Sequence, residues 1–115
     1  MPRILIAEPY PEIRELLAHV VTNLGFEPVL MDTLGQEQLP ETDVMLLEPA
    51  LPGGVELAQR LRKARPDLPI VCVSIYPATA EIVALEPVAY LLKPFALTTL
   101  QTALEHAVER ASIPA

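Results

Sequence analysis

The chain has 115 residues, a net charge of −7 and a hydrophobic fraction of 51%, which fits one folded domain over residues 1–115 and excludes a disordered chain. The acidic balance argues against a protein that binds nucleic acid directly, because such proteins carry a clustered basic face. We expect no membrane span, no signal peptide and a cytoplasmic location, since no apolar run is long enough and the single cysteine, Cys72, cannot form an internal disulfide.

Strand and helix patterns alternate along the chain. The sequence predicts strands over 3–7, 26–31, 44–47, 69–74 and 88–92. It predicts helices over 11–24, 54–65, 78–86 and 97–111, with a weaker helical stretch within 32–42. Pro28 favours an edge position for the second strand, because proline cannot donate to a neighbouring strand. This alternation predicts an α/β fold with a five-stranded parallel sheet and helices on both faces.

One helix carries most of the clustered positive charge. Four basic residues lie between positions 60 and 65, on a helix that also carries Glu56. They are Arg60, Arg62, Lys63 and Arg65. We interpret this cluster as a solvated helix face.

Polar side chains follow the predicted strands. Glu8 follows the first strand and Glu48 the third, while Ser74 ends the fourth and Lys93 follows the fifth. The carboxyl ends of parallel strands meet at one edge of a sheet, where sites are built, so we expect these four side chains to converge. Their chemistry is complementary, since Lys93 can neutralise Glu48. Alone, Glu48 would be no more than a polar strand end turned to solvent; the grouping makes it a candidate site.

Four stretches carry a family resemblance that covers nearly the whole chain. They are ILIAEPYPEIRELL, DVMLLEPALPGG, PDLPIVCVS and YLLKPF. Together they resemble the receiver domain of two-component response regulators. The resemblance implies a flavodoxin-like three-layer fold with strand order 2-1-3-4-5, which agrees with the independent prediction from the alternating elements.

The resemblance also implies roles for the residues at the sheet edge. Glu48 matches the phosphoacceptor, Lys93 the lysine that pairs with the phosphoryl group, and Glu8 the first acid of the metal-binding pair. Ser74 and Tyr90 match the switch hydroxyl and the switch aromatic residue. In the family, the bond from the lysine to the proline that follows it, here Pro94, is often cis.

The chain departs from the family pattern at three positions. Glu48 stands where working receivers have aspartate, and its carboxylate lies about 1.5 Å farther from the backbone. Pro9 replaces the second acid, which leaves Glu8 and Glu48 as weak candidate ligands for Mg²⁺ and predicts no bound cofactor. Ile75 follows Ser74 where receivers have a small residue that admits the phosphoryl group.

The leading hypothesis is therefore a degenerate pseudo-receiver that is not an enzyme and acts through protein contacts without phosphorylation. The resemblance implies a histidine kinase or a downstream signalling protein as partner, and it allows a homodimer. One alternative is a phosphorylatable single-domain response regulator. A minor alternative is an acid/base enzyme that uses Glu8 and Glu48.

Overall fold

The computed structural model describes residues 1–31 and 41–112. The strands are β1 (Arg3–Ala7), β2 (Glu27–Leu30), β3 (Val44–Leu47), β4 (Ile70–Ser74) and β5 (Ala89–Leu92). The helices are α1 (Pro11–Asn23), α2 (Gly54–Ala64), α3 (Ala80–Ala84) and α4 (Leu97–Ser112). None of these helices is long and apolar enough to cross a membrane. Most of the helical stretch predicted within 32–42 lies outside the described residues.

The five strands form one parallel sheet in the order β2-β1-β3-β4-β5. This confirms the predicted flavodoxin-like fold. β2 pairs with β1 alone, which confirms the edge position that Pro28 predicted. In the centre of the sheet Ile6 is in register with Leu46, and Leu46 with Val71. Because every strand runs in the same direction, all five carboxyl ends lie along one edge.

Two apolar clusters cover the two faces of the sheet. Along β1, Ile4 and Ile6 join a cluster with α1 and α4, whereas Leu5 and Ala7 join a second cluster with α2 and α3. All four residues of β3 are buried in the same alternating way. A strand buried on both faces needs apolar residues at every position, which explains the unbroken runs of the central strands. The sheet is therefore the middle of three layers.

Helix α3 is shorter than the predicted 78–86. It begins after Thr79, whose Oγ1 accepts a hydrogen bond from the Ile82 N–H at 3.4 Å and so caps the helix. It ends at Ala84 with Leu85 as its C-cap, and Glu86 then adopts a left-handed backbone with φ of 51°. The prediction is therefore too long at both ends. The Thr79 cap fixes the start of the helix, and Pro87, which cannot continue a helix, follows its end.

The prediction of a solvated basic face on α2 is wrong for two of its residues. Arg62 is half-buried and donates hydrogen bonds to the carbonyl oxygens of Pro66, Leu68 and Leu85. Arg65 donates to the carbonyl oxygen of Thr42. Burial lowers the pKa of the Arg62 guanidinium. Arg62 thus ties α2 to the end of α3.

Candidate functional site

The ends of three strands bring two carboxylates and one ammonium into contact. Lys93 Nζ lies 3.4 Å from Glu8 Oε2 and 3.3 Å from Glu48 Oε1. The side chains of Glu8, Glu48 and Lys93 are 1%, 4% and 15% exposed. Since β4 lies between β3 and β5, the Lys93 side chain reaches across the end of β4. The sequence predicted that these three side chains and Ser74 converge. The structure brings Glu8, Glu48 and Lys93 into contact, with one lysine bridging both acids, whereas the Ser74 hydroxyl accepts a hydrogen bond from the Tyr76 N–H.

Both oxygens of the Glu48 carboxylate have partners. Oε1 contacts Lys93, and Oε2 accepts a hydrogen bond from the backbone N–H of Ala50 at 3.3 Å. The backbone N–H of Glu48 itself donates to the Ala7 carbonyl at 2.9 Å. These contacts hold both the main chain and the side chain of Glu48 in place.

Glu8 is less completely satisfied than Glu48. Its Oε2 contacts Lys93, but its Oε1 is buried and has no hydrogen-bond partner among the described residues. Burial raises the pKa of the Glu8 carboxyl, Lys93 opposes that rise, and the nearby charge of Glu48 adds to it. Lys93 therefore does not offset the burial of the Glu8 carboxylate in full.

The two predicted switch residues contact the loop that follows β4. Ser74 is buried, and its Oγ accepts a hydrogen bond from the Tyr76 N–H at 3.2 Å. Tyr90 is half-buried, and its hydroxyl donates to the Tyr76 carbonyl at 2.6 Å. Burial raises the pKa of the Tyr90 phenol, so it stays protonated and keeps donating at neutral pH. Tyr76 thus links Ser74 to Tyr90.

Three residues that adjoin the site, Pro94, Pro9 and Ile75, differ in conformation and exposure. The Lys93–Pro94 peptide bond is cis, the conformation that the resemblance implied. Pro9 is half-buried beside Glu8. Ile75 projects outward, with 61% of its surface exposed. The bulk of Ile75 therefore lies on the surface of the molecule.

A cysteine lies beneath the site but offers no nucleophile. Cys72 is buried in β4, in register with Leu47 on one side and Tyr90 on the other. Burial raises the pKa of the Cys72 thiol to about 12, and the charge of Glu48 adds to the rise. Because the thiolate is the reactive form, this cysteine is a small apolar core residue at neutral pH.

The side chains at this edge supply two carboxylates, Glu8 and Glu48, as candidate ligands for Mg²⁺, and both already contact Lys93. Magnesium requires oxygen ligands in octahedral geometry, and Pro9 supplies no side-chain oxygen. Within residues 1–31 and 41–112, no group of three or more histidine, cysteine, aspartate or glutamate side chains is placed to hold a metal ion. The cation in contact with both carboxylates is the ammonium of Lys93.

Two backbone contacts at the site were missed by the sequence analysis. Glu48 accepts from the N–H of the second residue after it, and Ser74 does the same with Tyr76. Such short-range bonds are typical of polar residues that begin a turn. The prolines at 49 and 77 mark both turns in the sequence and could have indicated these bonds.

Comparison with known proteins identifies structural relatives of the chain. No protein-family model and no curated protein matches this sequence. A sensor protein from Polaromonas sp. JS666 is 30% identical over 96% of this chain and 98% of its own, with a TM-score of 0.76.

Two further solved structures share the fold. The response regulator protein TrrA from Thermotoga maritima, solved in complex with Mg(2+)-BeF, is 24% identical over 93% of this chain and 99% of its own, with a TM-score of 0.79. A CheY-like response regulator receiver domain protein from Methanospirillum hungatei JF-1 is 22% identical over 96% of both chains, with a TM-score of 0.83. The structural neighbours therefore include response regulator receiver domains.

Proposed function

We propose that this chain, which belongs to the same family as the Polaromonas sensor protein and has response regulator receiver domains as structural neighbours, is a degenerate receiver module. It acts in two-component signalling through protein contacts, without phosphorylation and without catalysing a reaction. Its partner is a histidine kinase or a downstream signalling protein, and it works in the cytoplasm.

The state of Glu48 is the observation that carries this proposal. A phosphoacceptor must present a free carboxylate oxygen in line with the incoming phosphoryl group, and small misplacements are costly. Glu48 is 4% exposed, and both of its oxygens already have partners in Lys93 and the Ala50 N–H. Its side chain is also one methylene longer than aspartate. Burial, engaged oxygens and added length all oppose attack on a phosphodonor.

Glu48 then serves as a permanent charge. A glutamate carries a charge of about −1, whereas a phosphoryl group brings about −1.5 to −2 and three acceptor oxygens. The contact between Glu48 and Lys93 resembles the pairing of a phosphoryl group with the family lysine. Because this charge is covalently part of the chain, the module presents one surface to its partner at all times.

Phosphorylation can be tested by intact-mass measurement after incubation with acetyl phosphate and Mg²⁺. We expect no gain of about 80 Da, the mass of one phosphoryl group. A variant that combines Pro9→Asp with Glu48→Asp is the matched positive control, because it restores both the second acid and the acceptor length. A stoichiometric acid-labile adduct on the wild type that Glu48→Gln abolishes would overturn the proposal and establish a phosphorylatable regulator.

A further inference from the structure

We infer that a cavity between the loop before α2 and the loop before α3 receives an arginine side chain from a protein partner of this chain. The inference deepens the proposed function and rests on it for the existence of that partner. The cavity has a volume of about 310 Å³ and is partly open to solvent. This volume lies at the lower limit for ligand pockets, so it suits one long side chain better than a whole cofactor.

The walls of the cavity combine apolar surface with one carboxylate. The side chains of Val55 and Ile82 and two prolines, Pro49 and Pro77, supply apolar surface. Glu81 supplies the carboxylate, and none of the described residues that line the cavity is lysine, arginine or histidine. Long basic side chains pack their stems against apolar surface while their charged heads stay near water. An arginine therefore matches both parts of the lining.

Two tyrosine rings favour arginine over other cations. Tyr76 and Tyr90 both line the cavity, and Tyr76 is 59% exposed. A planar guanidinium stacks on aromatic faces and is more weakly hydrated than an ammonium. Burial raises the pKa of the Tyr90 phenol, and the charge of Glu48 adds to the rise, so the negative charge of Glu48 extends to this wall.

The backbone donors of the walls are already engaged, which disfavours an anion as the occupant. The N–H groups of three lining residues, Ala50, Tyr76 and Ile82, each donate to a side-chain oxygen of this chain. An anion would lack these donors and would also be repelled by Glu81. A guanidinium needs acceptors instead, because it carries five N–H donors and no acceptor. The chemistry of the cavity thus fits a cationic donor.

The inference predicts binding of an arginine presented on a neutral peptide. The probe is the acetylated and amidated pentapeptide Gly-Gly-Arg-Gly-Gly, titrated into isotope-labelled protein at low salt, with the backbone amide chemical shifts as the readout. We expect saturable shifts at Ala50, Val55 and Ile82. The same peptide with citrulline in place of arginine keeps the shape of the side chain without its charge. It should bind about fivefold more weakly.

Matched variants make the result specific. Glu81→Gln should weaken binding of the arginine peptide about fivefold, because it removes the carboxylate from the lining. Tyr76→Leu keeps an apolar side chain but removes the ring, and should weaken binding about threefold. Glu105→Gln removes an exposed carboxylate on α4 that does not line the cavity, and should change nothing.

Three outcomes would overturn the inference. The first is the absence of a saturable shift with the arginine peptide at up to about 10 mM. The second is equal affinity for the citrulline peptide, and the third is arginine binding that a folded Glu81→Gln leaves unchanged. If Glu81→Gln does not fold, the comparison of the two peptides on the wild type remains decisive.

The inference and the proposed function can fail separately. A wild type that does not bind the arginine peptide and accepts no phosphoryl group would refute this inference alone. A phosphoryl adduct on a wild type that binds the arginine peptide would refute the proposed function alone.

Discussion

The two edges of the sheet use polar side chains in opposite ways. At the amino edge, polar side chains serve the backbone. Thr42 Oγ1 accepts from the Leu5 N–H at 3.0 Å and lies 2.7 Å from the Val44 carbonyl, to which it can donate. Asp43 Oδ2 accepts from the Arg3 N–H at 2.7 Å. These bonds continue the pairing between β1 and β3 past the ends of the strands.

At the carboxyl edge, polar side chains serve one another. Lys93 bridges Glu8 and Glu48 through their side chains, and one oxygen of Glu8 remains without a partner among the described residues. Burying charges in this way is costly unless each is compensated. The fold of the backbone does not require these buried charges, so their energetic cost needs another explanation. Buried, interacting ionisable groups with perturbed pKa values are typical of functional sites.

The largest expected effect comes from removing the cation at the carboxyl edge. Lys93→Met leaves Glu8 and Glu48 buried without a compensating cation, and we expect a loss of about 3 kcal/mol in the free energy of unfolding. Urea denaturation at neutral pH measures it. Lys63→Met is the control, with an expected change below about 0.5 kcal/mol. A loss below about 1 kcal/mol for Lys93→Met would show that the buried carboxylates at the carboxyl edge do not depend on the lysine charge for their stability.

The next largest effect tests the amino edge. Thr42→Val keeps the shape of a buried side chain but removes its hydroxyl, and we expect a loss of about 1.5 kcal/mol. The matched control is Thr102→Val at an exposed position of α4, where the hydroxyl donates to the Thr98 carbonyl at 2.9 Å. The control should lose less than about 0.5 kcal/mol. Equal losses of stability at both threonines would contradict the conclusion that the Thr42 hydroxyl stabilises the backbone at the amino edge.

A smaller effect concerns pH and the carboxyl edge. Burial raises the pKa of Glu8 above its ordinary value of 4.5, so folding favours the protonated form. The stability that this proton contributes is complete below that value and is lost as pH rises through the folded pKa. The amide of Glu8→Gln cannot lose a proton. The free energy of unfolding of this variant, relative to that of the wild type, should therefore increase as pH rises above 4.5. Urea midpoints of both proteins across this range measure the difference, and parallel curves would contradict it.

The smallest effect is expected at a surface ion pair of the amino edge. Arg3 Nη1 lies 3.5 Å from Glu41 Oε2, and the Glu41 side chain is 92% exposed. Glu41→Gln should change the free energy of unfolding by less than about 0.5 kcal/mol, because solvent screens such pairs. Thermal unfolding at low and high salt checks this value. A change above 1 kcal/mol at low salt would show that charge stabilises both edges.

Much of the fold was predictable because its signals are local. The run of apolar residues before Glu48 predicted β3 at its observed bounds, and Pro28 predicted the edge position of β2. The rule that parallel strands end at one edge then predicted the grouping of Glu8 with Lys93. These predictions needed only the pattern of short segments and one rule of topology.

The unpredicted features depend on contacts between distant segments. The Arg62 guanidinium binds the Leu85 carbonyl, 23 residues away, so local charge pattern alone suggested a solvated residue. Thr42 lies in a stretch with no clear periodicity, yet its hydroxyl bonds with β1, 37 residues away. Whether Lys93 would pair with one acid or bridge two depended on the relative positions of three strand ends. Helix α3 was predicted too long because the Thr79 cap competes with helix propensity.

The bridge made by Lys93 also has a consequence for the lifetime of the folded chain. Its contacts with Glu8 and Glu48 span 85 and 45 residues. Contacts that close such long loops form late in folding, after most local structure is in place. Their loss should therefore speed unfolding and leave the folding rate nearly unchanged. In stopped-flow kinetics, Lys93→Met should shift only the unfolding limb of the plot of rate against denaturant concentration. The bridge between β1, β3 and β5 would then slow unfolding without changing folding.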